Sequence, residues 1–232
     1  MALLQSTSNA TGASGVTVLT LTFANPVTAG SLIVVGLMAG DLAATVTSVK
    51  DNAASPDTYA QALAPVTDAN GYIYVLYYFP NSPTGVTEII ITMSNNCRIT
   101  AFAAEESAVA SSSPLDGTPA AVAAPAATSF SSGNTTTSNA NDVLYGFAGT
   151  SGTATGTWAV TGSWSLIGSQ QNVPDGDTIC LARETKVSAG SYAFTGTNSV
   201  SASIGSICAA FKQQVAVQQP FLINRRNQLF YI

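Results

Sequence analysis

Apolar and polar positions alternate with a period of two along most of this 232-residue chain, and the i, i+3, i+4 spacing of an amphipathic helix is nearly absent. Leu19, Leu21 and Phe23 alternate with Thr20 and Thr22. Ile89, Ile91 and Met93 alternate with Glu88 and Thr92, less cleanly at Ile90. Such runs, broken every 8 to 12 residues or so by Gly, Pro, Asn or Asp, are the signal of a sandwich or barrel. They predict strands near 15–23, 31–38, 44–50, 70–79, 87–94, 97–105, 142–149, 155–160, 163–168, 177–185, 190–195 and 200–211. In the last of these Val200, Ala202 and Ile204 hold one phase and Ile207, Ala209 and Phe211 the other, so a β-bulge is expected at Gly205.

The stretch 107–141 is rich in Ala, Ser, Thr and Pro, with Asp116 as its only charge. It reads as a long crossing connection with one short strand near Thr128 to Ser131. On either side of it similar segments recur in the same order. SLIVVGLMAG, TVTSVKDN, YIYVLYYF, EIIITMSNN and ITAFAAEE precede it; DVLYGFAGT, SWSLIGSQ, DTICLARE, SYAFTGTNS and ICAAFK follow. This suggests two five-strand halves, about 15–106 and 142–212, although any two β-rich halves share some likeness. The expected fold is all-β, a two-sheet antiparallel sandwich, jelly-roll-like, with a body over 1–212 and an extended arm over 213–232. Two immunoglobulin-like domains are the runner-up, but the Cys, Trp, Cys spacing of that fold is missing.

Composition narrows the chemistry. Only 8% of residues are charged against about 25% in an average chain, and 26 Ser and 28 Thr supply the polar surface instead. The absence of histidine excludes a Ser-His-Asp triad, a Cys-His pair and a HExxH zinc site. The chain is expected to be no enzyme and to need no cofactor. Twelve acids against four bases give residues 1–211 a net charge of −8; Lys212, Arg225 and Arg226, with no acid, give the remainder +3. An acidic, lysine-poor body argues against nucleic acid as a partner. The longest apolar run, Leu32 to Gly40, is about half of a spanning helix, so no membrane is expected, and the N-terminus reads as lacking a signal peptide. Cys97, Cys180 and Cys208 lie in apolar strand-like segments and read as buried thiols, with one disulfide as the alternative.

Few residues stand out as candidate sites. Asp51, Asn52 and Asp57, and later Asn172, Asp175 and Asp177, are oxygen-rich clusters that calcium could use, but they also match ordinary turn formers. Glu105 and Glu106 are adjacent carboxylates pointing to opposite faces of a strand and read as a solvated strand end. Tyr72, Tyr74 and Tyr78 share one face of a strand that is apolar on both faces, which places them in the core. Trp158 and Trp164 are the glycan-binding candidates: a two-residue turn at Thr161-Gly162 would make them hairpin neighbours on one face, a platform for a sugar ring.

The runs SLIVVGLMAG, SVKDNAASPDTY, YVLYYF, GVTEIIITMS, AFAAEES, SSPLDGT and GNTTTSNANDVLYGFAG, with the closing AAFK, resemble a β-sandwich module of tailed-phage virion structural proteins and bacterial surface proteins. The resemblance spans about residues 15 to 212 and rests on strand and turn patterns. It carries over no catalytic residue. It implies a virion component such as a head decoration, head fibre or neck protein, assembled in the host cytoplasm. The partners implied are capsid, portal or neck subunits and copies of itself, as a homo-oligomer for which the analogy suggests a trimer. An adhesive or carbohydrate-binding surface module is the alternative.

The tail QQVAVQQPFLINRRNQLFYI is the expected docking element. Pro220 stops any strand running on from Phe211, and the Gln-rich stretch before it is linker-like. Phe221, Leu222 and Ile223, then Arg225 and Arg226, then Leu229, Phe230, Tyr231 and Ile232 place two apolar anchors around a basic centre. Left in water, each large side chain would forgo about 1.5–3 kcal/mol of burial, so contact with a neighbouring subunit is expected. The alternative is that the tail folds back on its own body as an edge strand.

Overall fold

A computed structural model describes residues 1–12, 14–40, 44–152, 155–172 and 176–214. Among them the elements are β1 (Leu3–Ala10), β2 (Val16–Thr22), β3 (Leu32–Gly40), β4 (Val46–Asp51), β5 (Ala60–Gln61), β6 (Val66–Thr67) and β7 (Tyr72–Phe79). There follow β8 (Glu88–Glu106), β9 (Leu115–Thr137), β10 (Asp142–Ser151), β11 (Trp158–Val160), β12 (Ser165–Asn172), β13 (Asp177–Lys186) and β14 (Gly190–Phe211). They form a two-sheet antiparallel sandwich. The eight-stranded sheet runs β1-β8-β3-β7-β5, with β2 and β4 on β8 and β6 on β7; the six-stranded sheet runs β11-β14-β10-β13-β12, with β9 on β14.

Strands apolar on both faces take the central positions, because each face must be covered. In β3, Ile33, Val35 and Leu37 enter one core with Leu19, Leu21, Val49, Ile89 and Ile91. Leu32, Val34 and Met38 point the other way, into a core shared with Val143, Tyr145 and Phe147 of β10 and with Ile179, Leu181 and Ile207. Strand β10 repeats the arrangement: Leu144 and Ala148 face a third core with Phe130, Trp158, Trp164 and Phe194. Three cores are therefore stacked, and the middle one joins the halves.

The two halves also share a pairing scheme. Strand β3 lies between β7 and β8 as β10 lies between β13 and β14. Residues 88–93 of β8 pair with β2 and β4 before residues 98–106 pair with β1 and β3. The long β14 likewise pairs early with β11 and the end of β9, and later with β10 and the start of β9.

The structure differs from the sequence reading at several places. The strands expected at 87–94 and 97–105 are the single strand β8, and those at 190–195 and 200–211 are the single strand β14. The expected crossing connection is mostly β9, a 23-residue strand paired along β14; Ala, Thr and Ser line a half-exposed strand without the apolar contrast that marks one. The N-terminal strand β1 pairs with β8 about a hundred residues away, with Leu3 opposite Glu106. The phase switch at Gly205 is absent: Ile204, Cys208 and Ala210 share the outer core while Ile207, Ala209 and Phe211 share the middle one. Pairing with β10 runs straight through Gly149 opposite Gly205, and the register shifts fall on the β9 side, the one nearest Gly205 between Ala202 and Ile204. Gly205 is required for another reason, since a Cβ there would stand 2.2 Å from the Tyr74 ring.

Candidate pocket beside Trp164

Beyond Ala182, β13 continues with Glu184 and Lys186, which share the face of Cys180 and Ala182 by the two-residue period. The aromatic cover of the outer core ends here. That cover is a file of rings: Trp158 packs on Phe130 at 5.6 Å between centroids, Phe130 on Phe194 at 5.0 Å, and Phe194 on Trp164 at 4.8 Å. Past Trp164 lies a concave pocket of about 240 Å³, walled by Thr161 to Trp164 on one side and Ser191 to Ala193 with Thr195 on the other.

Glu184 and Lys186 form the floor, as a nearly buried ion pair that also engages the Ser163 hydroxyl. The Lys186 ammonium lies 4.6 Å from the centroid of the Tyr192 ring, a cation–π contact. Tyr192 donates its hydroxyl to the Ser188 carbonyl at 2.7 Å, and Trp164 Nε1 donates to the Ala193 carbonyl at 3.0 Å. The Thr161 and Thr195 hydroxyls bond each other at 2.7 Å across one end. The result is a charge-balanced hollow lined by hydroxyls and aromatic rings.

The expected tryptophan platform takes a different form. Strands β11 and β12 do not pair; they occupy opposite edges of the six-stranded order. Both rings are 8% exposed and separated by Phe130 and Phe194. Trp158 is committed to the core, its Nε1 bonded to Thr178 Oγ1, because β11 folds it over the sheet. Trp164 alone reaches the pocket. Glu184, Lys186 and Tyr192 escaped the sequence reading: the Glu-Thr-Lys alternation was visible, but its meeting with Tyr192 depends on strand register.

Glu105 and Glu106 do point to opposite faces, but neither is a solvated strand end; they are 1% and 0% exposed. Glu105 accepts from Gln5 Nε2 at 2.7 Å and from the Thr28 amide and Ser31 hydroxyl at 2.8 Å each. Glu106 accepts from Tyr145 at 2.8 Å and from Arg183 at 3.0 Å, tying β8 to β10 and β13. Burial raises its pKa, against the pull of Tyr145 and Arg183. Asp68 ties the halves elsewhere, accepting from Tyr74 at 2.9 Å and from Ser151.

Asp116 and Asp142 make a further carboxyl pair, where β9 and β10 flank the end of β14. Asp116 accepts four bonds of 2.6–2.8 Å from the amides and side chains of Ser138 and Asn139. Burial opposes its ionisation, but these bonds, with Asp142, outweigh it and lower its pKa. Asp142 is fully buried and no donor reaches either carboxyl oxygen. Burial and the neighbouring Asp116 carboxylate push its pKa up to about 7, with Lys212 pulling the other way. That neighbouring charge makes it costly to ionise both carboxyls together.

The oxygen-rich turns serve the backbone. Asp51 accepts from the Ala53 and Asp57 amides at 3.1 Å, and Asn52 caps Thr87 and Glu88. Gly152 donates to Asp177 at 3.2 Å; Asp175 lies outside the described residues. Among the described residues no three Cys, Asp or Glu side chains are grouped to hold a metal ion, and no helix is long and apolar enough to cross a membrane. All three cysteines are buried and none is in a disulfide. Of the expected arm, Gln213 and Gln214 are held beside Ala108 and Val109. Phe221, Leu222, Ile223, Arg225, Arg226, Leu229, Phe230, Tyr231 and Ile232 lie outside the described residues. Compared with known proteins, the chain matches no family model, no curated protein and no solved structure.

Proposed function

We propose that this chain is a noncatalytic structural component of a phage virion, assembled in the host cytoplasm. Neighbouring capsid, portal or neck subunits, or copies of itself, hold it through the C-terminal segment. The observation that carries the reading is the use made of the carboxylates. Glu105 accepts from Gln5 of β1 within its own sheet, while Glu106 and Asp68 accept from Tyr145 and Ser151 of β10, so the latter two act as ties between layers. Such ties stiffen a stacked sandwich and leave a low-charge surface that associates with little cost in ion desolvation. The −8 body of a sister subunit offers a complement to Arg225 and Arg226.

Deletion of residues 220–232 tests the proposal in particles assembled from phage structural genes expressed with this chain. The full chain is expected to co-sediment with particles, and the truncated chain to fold with an unchanged melting midpoint yet remain in the soluble fraction. Equal incorporation of both, or of neither, overturns it. A second reading, an adhesive surface module, is favoured by the pocket beside Trp164.

A further inference from the structure

We infer that the pocket bounded by Trp164, Tyr192, Glu184 and Lys186 binds one neutral pyranose ring, such as the terminal residue of a surface glycan. This deepens the adhesive reading and is independent of any role in assembly.

Size sets the first limit. Sites for drug-sized ligands run about 300–1,000 Å³, and this pocket has about 240 Å³, which suits a single ring and not an oligosaccharide buried whole. Charge sets the second. The floor holds one carboxylate and one ammonium already paired, so a charged ligand would leave one of them opposed, whereas a neutral ligand leaves the pair intact. Chemistry sets the third. A pyranose presents hydroxyls in several directions and an apolar C–H face. The pocket answers with Glu184 as acceptor, Lys186 as donor, the hydroxyls of Thr161, Ser163, Ser191 and Thr195 as both, and the aromatic rings of Trp164 and Tyr192 for the C–H face. The carboxylate and ammonium are held in place before any ligand arrives, by each other and by Ser163, so little ordering is needed on binding.

The two tryptophans provide the readout, because only Trp164 lines the pocket. The full chain is titrated with the methyl pyranosides of glucose, galactose, mannose and N-acetylglucosamine, following tryptophan emission and saturation-transfer NMR. At least one is expected to bind saturably with a millimolar Kd; its emission change should survive Trp158→Phe and vanish in Trp164→Phe. Ser191→Phe, placed at an exposed rim position, is expected to weaken binding tenfold or more without moving the melting midpoint, and Tyr192→Ala to weaken it several-fold. No saturable binding by any of the four, tighter binding of glucuronate than of the neutral sugars, or unchanged affinity in Ser191→Phe overturns the inference. The adhesive reading is judged apart, by retention on whole bacterial polysaccharide. Retention that persists in Ser191→Phe sinks the pocket and spares adhesion; monosaccharide binding without retention does the reverse.

Discussion

The ring of Tyr74 in β7 rests on the bare backbone of Gly205 in β14, so the two sheets approach closely where one side chain is missing. Tyr74 is fully buried and its hydroxyl is fixed to Asp68, which leaves the ring no room to retreat. Gly205→Ala is therefore an overpacking change, expected to cost about 1–3 kcal/mol. Urea unfolding measures it; a neutral result would mean that the sheets can slide apart at this point.

Glu106, Tyr145 and Arg183 form the charged tie of the middle core. Tyr145→Phe removes one donor from a buried carboxylate and is expected to cost about 1.5–3 kcal/mol. Arg183→Met leaves the charge without its counter-ion, at about 3–5 kcal/mol. Guanidinium denaturation of both variants at neutral pH should preserve this order; an inverted order would place the charge mainly on the tyrosine hydroxyl bond.

The Asp116–Asp142 pair makes a prediction about pH. In the unfolded chain Asp142 ionises near its ordinary value of 3.8, but in the fold only near 7. Between those values the folded state binds more protons, so this group lowers stability as pH rises, and its contribution is complete only below the unfolded value. Asp116 works the other way, its contribution fading as pH falls below 3.8. Asp142→Asn is expected to flatten the decline in melting midpoint between pH 4 and 7. At pH 8 it should exceed the parent. Parallel profiles for the two proteins would assign the titration to another group.

The thiols should be silent in the native protein. Burial raises the pKa of Cys180 and takes that of Cys208 to about 12, and Cys97 is also buried. Since the thiolate is the reactive form, iodoacetamide at pH 8 is expected to label no cysteine in the fold and all three in denaturant, as counted by intact mass. Rapid labelling of any one without denaturant would reveal local opening of its strand.

Strands with apolar side chains on one or both faces were legible in the sequence, because burial imposes the period of two: β2, β3, β7, β10 and β13 all fall where alternation or a continuous apolar run places them. Strands β1 and β9 were not, since their Ser, Thr, Gln and Ala residues carry little contrast between faces. The candidate pocket was half legible. Trp164 stood out by its type, while Glu184, Lys186 and Tyr192 acquire meaning only when β13 and β14 bring them to one hollow. The hairpin expected of Trp158 and Trp164 failed because β11 joins β14 and β12 joins β13, and local turn chemistry does not choose between long-range partners.

The pairing of β1 with the far end of β8 sets an order of events during synthesis. With Leu3 opposite Glu106, the first strand has no partner until more than a hundred residues have left the ribosome, roughly 5–20 s at ordinary elongation rates. The first half can then close by itself, since every partner of β1 to β8 lies within those strands. It does so with Leu32, Val34, Met38 and Tyr74 facing water. For the seconds that follow, the nascent chain displays an apolar sheet face that β10, β13 and β14 will later cover.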